Sequence, residues 1–250
     1  MSKIIKIARS FVYYCCFFIL TGFSILLGAL HSLVAIFLFR KASGPVLRLN
    51  TWRYGALWTR LLGLFTPVTT EGCDQPLPSP CIIVMNHQSV FDPYCLGFLP
   101  ASTGGCVNYW VTSWPFSIPV FGLCMRAVEY IDTTRFSGED CVEQSKKLLA
   151  KGVNIAVFPE GTRSTTGMLG KFHIGVFKLA IETNIPVVPV CISGLGNFAP
   201  KGSLLIHMAP VFIKVLPPVT PGDYAHEGAL PERALARAVR EQIQKATVTP

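Results

Sequence analysis

The sequence predicts an α/β domain, with a mixed, mostly parallel sheet covered by helices on both faces, carried on an N-terminal helical membrane anchor. Two observations predict the domain. From about residue 73, apolar runs of strand length alternate with helical patterns, and polar bursts follow directly on two of those runs. A third observation predicts the anchor: residues 11–39 contain no Asp, Glu, Lys or Arg. The 250 residues thereby divide into an anchor over 1–45, an interfacial amphipathic helix and linker over 46–72, and a domain over 73–250.

At 1.5 Å per residue the uncharged run makes a straight helix of about 43 Å, longer than the roughly 30 Å hydrocarbon core. It is therefore either one long tilted helix or a helical hairpin broken near Thr21–Gly22 or Gly28. A cleaved signal peptide would have an apolar region of about 7–15 residues, which this run exceeds. Residues 46–65 interleave Arg48, Arg53 and Arg60 with Trp52, Tyr54, Trp58 and Phe65. That mixture suits a helix at headgroup level, and equally one packed on the body with its arginines solvated.

Half of the chain is hydrophobic and 14% is charged, which points to a membrane protein. The formal charge of +8 lies entirely in the first 70 residues, because eight basic residues precede the first acid, Glu71. The folded body is neutral overall. This distribution favours anionic lipid headgroups as the partner and argues against nucleic acid. Basic residues flank both ends of the apolar run, so charge does not set its orientation. Nine scattered cysteines without a Cys-x-x-Cys pair fit neither a disulfide framework nor a zinc site, and read as reduced, buried thiols facing the cytosol.

Within the body the expected strands are 81–85, 107–111, 153–158, 187–192 and a longer run over 204–216 broken by Pro210. Helical patterns cover 138–151 and 172–183, and a last amphipathic helix runs over 230–247 with Pro231 in its first turn.

Two clusters carry the chemistry. Directly after the run 81–85 comes Asn86-His87-Gln88-Ser89-Val90-Phe91-Asp92-Pro93. A turn that folds Asp92 back onto His87 fixes the tautomer through one ring nitrogen and leaves the other free as a base. The plainer reading is a surface histidine beside a helix cap. After the run 153–158 comes Pro159-Glu160-Gly161-Thr162-Arg163-Ser164, where Gly161 lets a ligand approach the backbone and Arg163 offers a planar fork of donors for phosphate oxygens. Glu160 and Arg163 could equally form an ion pair that holds the loop. Lys171 follows in a Gly-rich stretch ahead of a helix, a setting suited to an anion.

Together these clusters resemble the glycerolipid acyltransferase family, specifically its 1-acyl-sn-glycerol-3-phosphate acyltransferases. The element Asn-His-x-Ser-x-x-x-Asp, as the resemblance has it, falls on Asn86, His87, Ser89 and Asp92, and Phe-Pro-Glu-Gly-Thr-Arg-Ser on Phe158 to Ser164. A third element, Pro-x-Phe-Gly with a later Arg, falls on Pro119 to Gly122 and Arg135, and a fourth, with paired prolines, on Ile185 to Pro189. The resemblance implies a glycerolipid acyltransferase-like fold. It makes His87 the base toward the sn-2 hydroxyl of lysophosphatidate, with Asp92 orienting it. It makes Asn86, Ser89, Arg135, Glu160, Gly161, Thr162, Arg163 and Lys171 the substrate-binding residues. It implies no metal and no cofactor, with acyl-CoA or acyl-carrier protein as co-substrate. The expected place is the cytoplasmic face of the inner or plasma membrane, with the active site toward the cytosol and phosphatidate, a phospholipid precursor, as product.

One stretch departs from the pattern. Many members carry one or two lysines shortly before the Pro-x-Phe-Gly element, whereas residues 107–114 here contain no basic side chain. Another acceptor, such as a lyso-ornithine lipid or a different lysophospholipid, therefore stays open. So do a membrane-bound acyl thioesterase that activates water and a lipid-binding protein without catalysis.

Overall fold

The computed structural model describes residues 3–226 and 228–247; the extremes of the expected anchor and domain limits lie outside them. Helix α1, Lys3–Leu33, continues through wider π turns at Val34–Leu38. Helix α2, Ser43–Phe65, runs back along it. No break occurs at Thr21–Gly22 or Gly28. Thr21 and Ser32 return their hydroxyls to carbonyls four residues back, Phe17 and Gly28, and polar contacts with α2 hold the pair together. Trp58 Nε1 donates to the Tyr13 hydroxyl at 2.9 Å, the Thr21 and Tyr54 hydroxyls meet at 2.8 Å, and Asn50 Nδ2 donates to the Gly28 carbonyl at 3.0 Å. The chain reverses after Phe39 instead, so the hairpin is α1–α2.

Seven strands form one sheet: β1 Val68–Glu71, β2 Ile82–Met85, β3 Val107–Val111, β4 Ile131–Asp132, β5 Asn154–Val157, β6 Val187–Ser193 and β7 Val211–Val215. Their order is β1-β7-β6-β2-β5-β3-β4, and every pairing is parallel except β6 with β7. The helices of the body are α3 Ala101–Gly104, α4 Phe121–Ala127, α5 Gly138–Leu149, α6 Gly175–Thr183, α7 Leu195–Phe198 and α8 Pro231–Ala246. A capping box, with Ser137 and Asp140 bonded to each other's backbone amides, starts α5.

Central strand β2 is buried on both faces and divides the core in two. Ile83 and Met85 point under the hairpin with Tyr13, Trp58, Phe91 and Phe198, whereas Ile82 and Val84 point under α5, α6 and α8 with Phe177, Leu179 and Ile243. This is the doubly covered, mostly parallel sheet that the alternation of patterns predicts.

Three details differ from the sequence reading. The sheet begins at Val68, within the stretch expected to link anchor and domain, because the polar edge strand β1 pairs with β7. Only Val211–Val215 of the long apolar run is a strand. Ahead of Pro210 the chain passes α1, where the Ile206 amide donates to Ser10 Oγ at 2.9 Å. Two-residue β4 is too short to leave a pattern. Helix α2 lies on the body. A Cβ on Gly97, in the 3-10 turn Asp92–Phe98, would sit 2.3 Å from the Gly55 carbonyl carbon, so both glycines permit the contact.

Candidate active site

The first cluster is built on the end of β2. Asn86 exchanges two hydrogen bonds with the backbone of Ile192 on β6, at 2.7 and 2.8 Å, which fixes where the strand stops. The next residues wrap around a carboxylate. Asp92 Oδ2 accepts from His87 Nδ1 at 2.7 Å, from the Ser89 amide at 2.8 Å and from the Gln88 amide. Oδ1 is buried with no hydrogen-bond partner among the described residues. Burial pushes the Asp92 carboxyl above its ordinary value, while the bonds from His87, Ser89 and Gln88 pull it back. An ionised Asp92 requires the proton of neutral His87 on Nδ1 and leaves the Nε2 lone pair free. The imidazole is 20% exposed and stacks on Phe158, centroids 4.3 Å apart, whereas Asp92 is fully buried.

The second cluster clasps the first. Glu160, 8% exposed, accepts from the His87 amide at 2.8 Å through Oε1 and from the Gly170 amide at 2.8 Å through Oε2. The Ser164 amide donates to the His87 carbonyl at 2.8 Å. The backbone of His87 is thus held on both sides by the turn after β5. That turn needs Gly161, whose φ is +68° and where a Cβ would come within 3.2 Å of the His173 ring.

Beside His87 opens a cavity of ≈ 1310 Å³, above the 300–1,000 Å³ usual for small-ligand pockets. Its wall includes Phe17 from α1, Tyr94, Tyr109, Trp110 and Met125, together with Arg163. An apolar lining, the His87 imidazole and the cation of Arg163 therefore lie along one cavity.

The residues expected to bind substrate separate here. His87, Gly161 and Arg163 line the cavity. Thr162 is exposed at the same turn. Asn86, Ser89 and Glu160 are buried struts of the turns, and the Glu160 carboxylate is already engaged on both oxygens, which corrects its expected place as a phosphate ligand. Arg135 is exposed off the cavity wall, with its guanidinium 5.6 Å above the Phe136 ring. Lys171 is exposed and also off the wall. Two groups escape sequence reasoning. His173 donates its amide to the Pro159 carbonyl at 2.8 Å, which brings its ring to the cavity wall beside Gly161. Lys201 reaches the Thr162–Arg163 turn from a loop far along the chain. Their only sequence signals are a histidine just ahead of a helix start and a lysine between Pro200 and Gly202.

A histidine steadied by a buried aspartate, at the side of a large, mostly apolar cavity, is an arrangement able to activate a hydroxyl beside an alkyl chain. The sequence model of the Acyltransferase family matches residues 68–193. The chain belongs to that family. It is 39% identical over 133 residues to "1-acyl-sn-glycerol-3-phosphate acyltransferase BAT2, chloroplastic" of Brassica napus, which covers 51% of this chain and 38% of that relative. To "1-acyl-sn-glycerol-3-phosphate acyltransferase alpha" of Homo sapiens it is 32% identical over 176 residues, 69% of this chain and 60% of the relative. The matches span about two fifths to three fifths of those relatives. The solved structure of the 1-acyl-sn-glycerophosphate (LPA) acyltransferase PlsC from Thermotoga maritima is similar with a TM-score of 0.75 and 27% identity, covering 99% of this chain and 97% of that one.

Proposed function

We propose that the protein transfers a fatty acyl group from a thioester, acyl-CoA or acyl-carrier protein, to the sn-2 hydroxyl of 1-acylglycerol-3-phosphate. The observation that carries this reading is His87, bonded to Asp92 at 2.7 Å, on the wall of an apolar cavity that also bears Arg163. His87 Nε2 takes the hydroxyl proton as the oxygen attacks the thioester carbonyl. The tetrahedral intermediate collapses with loss of the thiolate, and the imidazolium returns the proton to sulfur. Asp92 stays ionised and stabilises the imidazolium. Arg163 holds the acceptor phosphate, and the cavity takes the alkyl chains. The route draws on no cofactor beyond the co-substrate, and its product is the phosphatidate from which phospholipids are made. The names of the relatives support the acceptor.

The reaction has reason to occur on a membrane. Among the described residues one helical stretch, Lys3–Leu38, is long and apolar enough to cross a bilayer. Basic residues gather near its ends, and each adds about 1 kcal/mol of attraction to an anionic surface. We place the site toward the cytosol, where a soluble thioester donor is found.

The test is purified enzyme with labelled acyl donor, with and without lysophosphatidate, and a panel that includes lyso-ornithine lipid. Labelled phosphatidate that requires lysophosphatidate, and that falls about 10²–10⁴-fold in H87A, is expected. Labelled free fatty acid independent of any acceptor overturns transfer in favour of hydrolysis. Preference for another lysolipid overturns the acceptor alone.

A further inference from the structure

We propose that Lys201 is the second cation of the acceptor's phosphate seat, entering from the loop after α7 whereas Arg163 enters from the turn after β5; this rests on the acyl-transfer reading above. Lys201 follows α7 in a loop whose Ala199, Pro200, Gly202 and Ser203 line the same cavity as His87 and Arg163, while its own side chain lies just off that wall, against the turn that bears Arg163. Its Nζ donates to the Arg163 carbonyl at 3.3 Å and to Thr162 Oγ1 at 3.5 Å. Both contacts are long for hydrogen bonds and both go to neutral acceptors.

No counter-charge occupies this corner. Among the described residues no carboxylate lies within ion-pair distance of Lys201, Arg163 or His173. The carboxylates built into the site are committed elsewhere, Asp92 to His87 and Glu160 to two backbone amides. A lysine held only by neutral acceptors, on the turn that carries cavity-lining Arg163 and with no carboxylate beside either, leaves positive charge free for an anion. A phosphate monoester carries about −1.5 to −2 charges at neutral pH, so one arginine leaves it under-neutralised. Residues 107–114 offer no basic group, and Lys201 supplies one from the loop after α7. A charged phosphate oxygen exceeds a neutral carbonyl as a partner for an ammonium. Lys201 therefore exchanges the Thr162–Arg163 turn for the ligand when the acceptor arrives, and in the free protein its two bonds hold that turn in place.

Lys201 is exposed, so Lys201→Met leaves the fold intact. Loss of one charge-assisted contact raises the KM for lysophosphatidate by roughly 10–100-fold, with kcat and the donor KM nearly unchanged. Lys201→Arg recovers most of the loss. Monoacylglycerol, which lacks the phosphate, is used equally by the wild type and K201M. A second arm needs no turnover: sn-glycerol 3-phosphate protects the wild type against thermal unfolding, and K201M requires a correspondingly higher concentration. A fall in kcat shared by both acceptors with the lysophosphatidate KM unmoved makes Lys201 only a tie between loops and overturns the proposal. So does equal binding of glycerol 3-phosphate by the wild type and K201M, or none by the wild type. If the wild type acylates no lysolipid but binds glycerol 3-phosphate through Lys201, the transfer reading fails and the seat stands.

Discussion

The carboxylate of Asp92 is buried against His87 Nδ1 and two backbone amides, and its second oxygen finds no partner among the described residues. Burial raises the folded-state pKa above 3.8. Between that value and the folded one, the native state keeps a proton that the unfolded chain releases. The stability Asp92 contributes is therefore present below pH 3.8 and is lost as pH rises through the folded value. At neutral pH the ionised group opposes folding while it serves His87. Asp92→Asn, neutral at every pH, is expected to keep or raise the melting temperature at pH 7 while activity falls about 10²–10⁴-fold. A large drop in melting temperature would show that the three hydrogen bonds outweigh burial. At this scale the His87–Asp92 pair was legible because one tight turn after one strand contains it. Glu160 and Arg163 were legible as a cluster but not in their division of labour, since a sequence does not show that backbone amides occupy Glu160. His173 and Lys201 were not legible, because each reaches the site through contacts between separate loops.

The elements that carry those residues depend on a close approach between α2 and the 3-10 turn that begins at Asp92. Gly97 shows how little room exists, since an added Cβ would fall 2.3 Å from the Gly55 carbonyl carbon and 2.4 Å from the Ala56 nitrogen. Backbone must move to admit it, and overpacking of this kind costs typically 1–3 kcal/mol. Gly97→Ala is expected to lower the melting temperature by several degrees and to reduce kcat, because displacement of the turn shifts Asp92 against His87. Gly63 is the control. It lies in the same helix α2 with nothing within 4 Å of an added Cβ. Gly63→Ala should stabilise the protein by about 0.5–1 kcal/mol through helix propensity, with activity unchanged. Equal melting temperatures for the two variants would remove the close contact as a constraint. The strands β2, β3, β5 and β6 were legible because burial on both faces leaves mostly apolar runs, interrupted only by buried Asn108 in β3 and by Asn154 and Ser193 at strand ends. Strand β1 was not, since its edge position leaves polar Thr69, Thr70 and Glu71 exposed. The antiparallel pairing of β6 with β7 leaves no trace in composition.

For the molecule as a whole, the proposed function asks the hairpin to couple chemistry to a bilayer, and its surface is suited to that. One side of α1 is spent on the body, where Tyr13 is completely buried. The other side exposes Phe11, Phe18, Phe23, Leu26 and Leu30, an apolar surface that water would not leave uncovered. The sequence revealed the length and greasiness of this segment but not its two-sidedness, because apolar residues on both sides hide which side faces protein. Leu26 tests the membrane assignment. It is 71% exposed, near the middle of Lys3–Leu38 and outside the cavity wall. A charge at the centre of a membrane helix costs about 2.5–3.5 kcal/mol, so Leu26→Glu should weaken partition into phosphatidylcholine–phosphatidylglycerol vesicles by roughly 100-fold. Turnover of a water-soluble, short-chain lysophosphatidate should be unaffected, since the body that holds His87 is unchanged. Raising salt should weaken wild-type binding to the anionic vesicles and leave binding to pure phosphatidylcholine vesicles intact, because only the basic belt is screened. Vesicle binding of L26E equal to wild type would mean that this side of α1 does not meet lipid. A change from dimer to monomer on the same substitution would identify a second copy of the chain as its cover.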